Sequence, residues 1–157
     1  MDKISFLKRP YIDGDRGGGL RILINGRDLA DLAREVELPF ARHEGAESIA
    51  GAYSGLPPNQ DLCPPSRHFF GQPSSALYCH HDKVQVLGCE CGEPGCWPLI
   101  CRIEIGPDRV KWTNFQQPHR SGRNSRPAWS YDKLGPFEFD REQYEAAVAE
   151  LGESSYS

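Results

Sequence analysis

Glycine and proline interrupt this chain so often that long regular elements have little room to form. The 157 residues include 16 glycines and 13 prolines, and both residue types favour turns over continuous helices or strands. Between residues 43 and 73, the pairs Pro57-Pro58 and Pro64-Pro65 argue against any long element. We therefore expect one turn-rich domain that spans residues 1–157.

A strand, a turn and a helix are predicted close to the start of the chain. Residues 20–24 are mostly aliphatic and β-branched, which favours a strand, and Asn25-Gly26 is a strong signal for a tight turn. Asp28 is a suitable N-cap for a helix over residues 29 to about 37. Pro39 is expected to end this helix.

Three further strands are predicted in the middle of the chain, at residues 83–88, 98–105 and 110–115. Each shows alternation of apolar and polar residues, which is typical of a strand with one buried face. The last two strands are joined by Gly106-Pro107-Asp108, which predicts a hairpin.

A second helix is predicted after Asp140, which is a good N-cap, with Gln143 in the position that a capping box requires. The apolar stripe of this helix consists of Tyr144, Ala147, Val148 and Leu151. Gly152 is expected to end it in a left-handed conformation. Together these elements predict an α+β fold, a mainly antiparallel sheet with two helices packed on it. We expect a mobile loop at about residues 116–128 and a frayed tail at about residues 152–157.

Charge and hydropathy limit the partners and the compartment. The net charge of −4 argues against nucleic-acid binding. The apolar stretch at residues 4–7 is too short for a signal peptide, and no run approaches the length of a membrane span. We therefore expect a soluble, cytoplasmic protein with reduced thiols and no membrane association.

The segment from Gly88 to Trp97 holds Cys89, Cys91 and Cys96. Its glycines allow sharp turns that bring the sulfurs together. Zinc prefers four thiolate or imidazole ligands. The candidates for the fourth ligand lie about ten residues upstream and are Cys79, His80 and His81.

Two other interpretations of this segment remain open. A four-residue loop separates Cys91 from Cys96, which permits a disulfide or a redox pair across a hairpin. Alternatively, the cysteines are small reduced side chains selected for packing, as we expect for Cys63 and Cys101.

Two arginine–histidine pairs, Arg67-His68 and His119-Arg120, form a second candidate site. Both lie in predicted loops beside aromatic residues. Guanidinium groups suit carboxylate and phosphate ligands. We expect a small-anion site here if the two loops meet.

Several segments together resemble a family of small, uncharacterised bacterial proteins. They are the strand-Asn-Gly-helix segment, residues 64–69, the Cys-x-Cys-Gly-x-x-Gly-Cys-Trp-Pro-Leu segment from Cys89, Gln117-Pro118-His119-Arg120 and residues 134–140. The resemblance implies a single soluble bacterial domain and carries no known activity.

The sequence contains no recognisable catalytic motif. The first hypothesis is therefore a non-enzymatic binding or interaction module for a protein partner or a small anion, with a structural zinc at the cysteine loop. The alternative is a small thiol- or metal-dependent enzyme, redox or hydrolytic, that uses the same loop.

Overall fold

The computed structural model describes residues 1–9, 19–91, 95–122 and 126–153. These residues form two antiparallel sheets, of three and six strands, together with two α-helices. The predicted α+β class is confirmed, and the strands are divided between two sheets. Neither helix in the described ranges is long and apolar enough to cross a membrane.

The smaller sheet has the order β1-β2-β3. Its strands are β1 (Ile4–Arg9), β2 (Gly19–Ile24) and β3 (Arg27–Asp28). Asn25 and Gly26 join β2 to β3 with φ angles of 55° and 81°, as a tight hairpin turn requires. The predicted strand and turn are confirmed.

The larger sheet has the order β4-β6-β7-β8-β9, with β5 also paired to β6. Its strands are β4 (Tyr53–Ser54), β5 (Cys79–His80), β6 (Lys83–Cys89), β7 (Leu99–Ile105), β8 (Arg109–Gln116) and β9 (Phe137–Asp140). All three strands predicted for the middle of the chain are present. Strand β6 ends at Cys89, and the loop between β6 and β7 carries Cys91 and Cys96.

Helix α1 (Leu29–His43) begins as predicted, because the Asp28 carboxylate accepts a hydrogen bond from the Ala30 amide at 2.9 Å. The prediction that Pro39 ends it is wrong, since the helix continues to His43. Proline removes one intrahelical hydrogen bond. Packing beyond the proline compensates, because Ala41 is buried and Phe40 stacks on Trp129 with ring centroids 6.4 Å apart.

Helix α2 (Arg141–Glu153) also begins as predicted, with the Gln143 amide donating to the Asp140 carboxylate at 3.1 Å. Its predicted stripe from Tyr144 to Leu151 is buried. The Gln143 side chain does not close a capping box. It bridges to β1 instead, accepting from the Ile4 amide at 3.1 Å and donating to the Ile4 carbonyl at 2.6 Å.

The prediction that Gly152 follows the second helix in a left-handed conformation is wrong, because this residue lies within α2. The helix continues through this glycine to Glu153. A Cβ added at Gly152 would lie 3.3 Å from Cβ of Pro64, a tight contact that the neighbouring segment would have to relax by a few tenths of an ångström.

The core lies where α2 covers both sheets, and Trp112 of β8 is at its centre, fully buried. The Trp112 indole donates to the Tyr144 hydroxyl at 3.0 Å, and that hydroxyl donates to the Phe69 carbonyl. Cys63 and Cys101 are buried, as predicted for core residues.

The segment after β8 contains a 3₁₀ helix, Pro118–Arg120, in which Arg120 is buried, as is the preceding Gln117. The mobility expected for residues 116–128 stays a prediction, and residues 123–125 lie outside the described ranges. Most of the tail expected to fray, residues 154–157, also lies outside them.

Candidate metal centre

The hairpin between β6 and β7 brings three cysteines together. The Sγ atoms of Cys89, Cys91 and Cys96 all lie within 4.8 Å of one another. Cys89 is buried at the end of β6, whereas Cys91 and Cys96 are exposed. The site is therefore open to solvent on one side and enclosed by the sheet on the other.

The separation of the sulfurs is close to what a metal ion requires. Zinc–sulfur bonds of about 2.3 Å in a tetrahedral site place the sulfurs about 3.8 Å apart. Each sulfur therefore needs to move by no more than about 1 Å to reach that arrangement. None of the three cysteines forms a disulfide, so this cluster can hold a metal ion.

Cys89 is a neutral thiol when no metal is bound. Burial raises its pKa to about 12, and hydrogen bonding with the thiols of Cys91 and Cys96 acts in the same direction. The Cys91 amide, 3.5 Å from the Cys89 sulfur, opposes this shift only in part. A thiol with such a raised pKa is a poor nucleophile, but a metal ion can displace its proton.

His119 lies against the cysteine loop. Its Nε2 atom is 3.0 Å from the Gly95 carbonyl oxygen, and its ring stacks on Trp97 with centroids 6.0 Å apart and planes inclined by 6°. Gly95 and Trp97 are the two chain neighbours of Cys96, so one imidazole contacts the residues on both sides of this cysteine.

Arg120 supports the same loop. Its guanidinium carbon lies 5.2 Å from the ring centroid of Trp97 and 5.4 Å from that of Trp129. Its Nε atom donates to both carboxylate oxygens of Glu44 at 3.3 Å. The Trp129 indole donates to the same carboxylate at 2.6 Å.

The Glu44 carboxylate remains ionised in this arrangement. Burial opposes ionisation, but the hydrogen bonds from Trp129 and Arg120 outweigh it and lower the Glu44 pKa. The negative charge balances the Arg120 guanidinium, which holds the 3₁₀ helix containing His119 on the end of α1. Cation–π contacts and a fixed charge partner make Arg120 a positioning group for the loop.

The predicted fourth ligands lie outside the cluster of three sulfurs. Cys79 and His80 pair with Val84 and Lys83 at the start of β6, whereas Cys89 ends that strand. Six residues of extended strand span about 20 Å. His81 follows β5 at this distant end, where its carbonyl accepts from the Cys79 thiol at 3.7 Å. The strand register therefore gives no support to the expectation that one of these three residues completes the site.

The first arginine–histidine pair, Arg67 and His68, contacts residues 70, 72 and 85. His68 is fully buried, its Nε2 atom lies 2.7 Å from the Gln85 carbonyl oxygen, and burial lowers its pKa to about 4. Arg67 lies over the Phe70 ring and donates to the Gln72 side chain at 3.1 Å. A neutral, buried His68 does not attract an anion.

The second pair, His119 and Arg120, is engaged with the cysteine loop and with Glu44. The two pairs therefore lie in different surroundings. The anion site predicted from them stays a prediction, and none of these contacts supports it.

Sequence reasoning missed Glu37, which is fully buried on α1. Its carboxylate accepts hydrogen bonds from the Tyr53 hydroxyl, from the Tyr131 hydroxyl at 2.5 Å and from the Gly51 amide at 2.8 Å. Burial raises its pKa. A signal was present, because Glu37 follows Leu29 and Ala33 at intervals of four residues on the buried face of the helix.

No family model, curated protein or solved structure matches this chain. The resemblance to small bacterial proteins consequently stays a prediction. The case for a functional site depends on the geometry of the cysteine loop.

Proposed function

We propose that this protein is a non-enzymatic, zinc-binding interaction module. In this proposal Cys89, Cys91 and Cys96 hold the ion, and the ion fixes the loop at residues 89–97 as a surface for a partner. The observation that carries the proposal is the convergence of three cysteine sulfurs within 4.8 Å of one another.

The chemistry of the donor set favours zinc over harder cations. Thiolates are soft ligands that suit zinc and copper(I), whereas calcium and magnesium require oxygen ligands. Two of the three sulfurs are exposed, which supplies a path for the ion to enter from solvent. Because the apo site holds a protonated Cys89, binding releases at least one proton.

A bound ion would stabilise the loop by linking the end of β6 to the residues before β7. Metal-binding free energy contributes directly to folding wherever the ligands are gathered only in the folded state. The loop already stacks on His119 and Arg120 through Trp97. The ion would therefore stabilise a region that connects the larger sheet to α1.

Metal analysis of matched cysteine variants tests this proposal. We expect one equivalent of zinc in the wild type and in Cys79→Ser, since Cys79 is exposed and lies at the far end of β6. Cys91→Ser and Cys96→Ser should lose zinc and melt at a lower temperature. Stoichiometric zinc in the variant lacking all three cluster cysteines, or no uptake of added zinc by the reduced wild type, would contradict the proposal.

A thiol redox protein is the second candidate, favoured by the exposure of both Cys91 and Cys96 within the cluster. Their oxidation to a disulfide would release two protons and pass two electrons to an oxidant such as glutathione disulfide. Thiol counting after equilibration with glutathione distinguishes the two functions. Loss of two thiols in the zinc-loaded protein would favour redox chemistry, whereas retention of all six would favour the metal site.

A further inference from the structure

The fourth ligand decides what a metal ion at this site can do. Three protein ligands leave a position for water or substrate, as in catalytic zinc sites, whereas four protein ligands close the site and make it structural. In the described ranges, the cluster of mutually close donor atoms contains only the three cysteines. The fourth donor must therefore approach when the ion binds, or come from solvent.

His119 is the histidine that the fold holds against the cysteine loop. Its Nε2 atom lies 3.0 Å from the carbonyl oxygen of Gly95, and its ring lies parallel to Trp97. His68 is buried against the Gln85 carbonyl. His80 lies near the segment that carries His119, but it pairs with Lys83, six residues before Cys89 on β6. His119 is therefore the imidazole whose contacts place it beside Cys96.

We propose that His119 becomes the fourth ligand, giving a closed site of three thiolates and one imidazole. This inference rests on the proposed zinc-binding function. Without the ion the imidazole is outside the 4.8 Å cluster, so the ring moves toward the sulfurs when the ion binds. The movement is local, because His119 already touches both chain neighbours of Cys96.

The hydrogen bond to Gly95 prepares the imidazole for this role. A neutral imidazole that donates from Nε2 carries its lone pair on Nδ1. Metal-bound histidines commonly donate the other ring N–H to a backbone carbonyl, which fixes the tautomer and the ring orientation. The contact between His119 and Gly95 is of this kind, and it selects Nδ1 as the ligand atom.

The backbone of His119 is also held in place. The amide of His119 donates to the Gln117 side-chain oxygen at 3.2 Å, and the Gln117 amide group donates to the Tyr53 hydroxyl at 3.3 Å. Arg120, the next residue, is paired with Glu44. An imidazole carried on such an anchored segment loses little conformational entropy when it binds a ligand.

A closed site has a functional consequence. With four protein ligands, no position remains at which the metal could activate water, so the ion would serve as a structural link. Coordination by His119 would therefore make the zinc structural and would leave no metal position for hydrolytic chemistry.

Cadmium NMR tests the fourth ligand directly. Protein labelled with ¹⁵N and loaded with ¹¹³Cd²⁺ alone should show a through-bond coupling between cadmium and the His119 imidazole nitrogen Nδ1. Because this experiment uses the wild type, it does not depend on the folding of a variant. A merely structural contact of His119 with the loop would produce no such coupling.

Affinity measurements provide the matched comparison. His119→Ala should bind cadmium about 10–100-fold more weakly than the wild type, in line with the loss of a ligand or its support. His81→Ala, an exposed histidine at the far end of β6, should bind as the wild type does. This inference would be overturned if the wild type bound cadmium without coupling to His119 and if His119→Ala bound it equally tightly. The proposal of a metal site at the three cysteines would still stand in that case. Wild type that binds neither cadmium nor zinc would overturn the proposed function itself.

Discussion

Glu37 provides a stringent test of the packing between α1 and the rest of the domain. Replacing it with alanine would remove the acceptor of three donors, namely the buried hydroxyls of Tyr53 and Tyr131 and the half-buried amide of Gly51. Each orphaned donor costs about 1–3 kcal/mol. Because neighbouring losses are not additive, we expect Glu37→Ala to lower the free energy of unfolding by about 3–5 kcal/mol. This is a large share of the roughly 5–15 kcal/mol that stabilises an ordinary domain.

The Glu37 carboxyl also predicts a pH dependence with a definite sign. Burial raises its pKa above the value of 4.5 expected in the unfolded chain. Between these two pKa values the native state holds a proton that the unfolded state has lost, so stability falls as pH rises, by at most about 1.4 kcal/mol per pH unit. Above the folded pKa the contribution is constant. The glutamine in Glu37→Gln does not titrate, so this variant serves as the reference. The free energy of unfolding of the wild type, relative to that of Glu37→Gln, should therefore decline from pH 4.5 upward.

Urea unfolding followed by tryptophan fluorescence measures both effects, at several pH values and a fixed zinc concentration. Glu35→Gln is the matched control, because Glu35 lies on the same helix but is exposed and paired with Arg27 at 2.5 Å. A loss below about 1 kcal/mol in Glu37→Ala would refute the proposed network. A difference between wild type and Glu37→Gln that stays flat or grows with pH would refute the raised pKa.

Two further measurements test the core and the metal centre. Leu151→Ala should cost about 2–5 kcal/mol because its side chain is buried against the core, with Glu150→Ala as an exposed control in the same urea assay. A loss under about half a kcal/mol would show that the end of α2 does not pack. Zinc affinity, measured by chelator competition, should rise at least about tenfold per pH unit between about pH 6 and 8, because the Cys89 thiol must lose its proton. An affinity independent of pH would contradict coordination by Cys89.

Signals that act over a few residues predicted the elements well. Asn25-Gly26 adopts the positive φ angles that its turn requires. Asp28 and Asp140 cap the two helices through hydrogen bonds to amides two and three residues away. The turn and the helix caps both depend on backbone geometry that neighbouring residues determine, so they could be predicted from the sequence alone.

Predictions about helix ends failed where distant packing outweighs the local rule. Pro39 lies inside α1, because Phe40 and Ala41 beyond it are held by the core. Gly152 lies inside α2, where it packs closely against Pro64. Trp129, which stacks on Phe40, and Pro64, which contacts Gly152, are both distant in the sequence from the helix end concerned.

At the candidate site, too, contacts between nearby residues were predictable and contacts between distant segments were not. Clustering of Cys89, Cys91 and Cys96 was predictable because the three lie within eight residues, at the end of β6 and in the loop that follows it. The position of Cys79 and His80 depends on the register of β5 against β6, which no local pattern reveals. The approach of His119 to Gly95 likewise joins segments 24 residues apart.

The bridge between Gln143 and Ile4 has a consequence for self-association. β1 is an edge strand of the smaller sheet, and such edges invite pairing with another chain. The primary amide of Gln143 both accepts from and donates to the Ile4 backbone, as a neighbouring strand would, so it occupies one N–H and one C=O of this edge. Gln143 follows Ile4 by 139 residues, so this part of the β1 edge stays unprotected, and more prone to aggregation, until α2 has been synthesised.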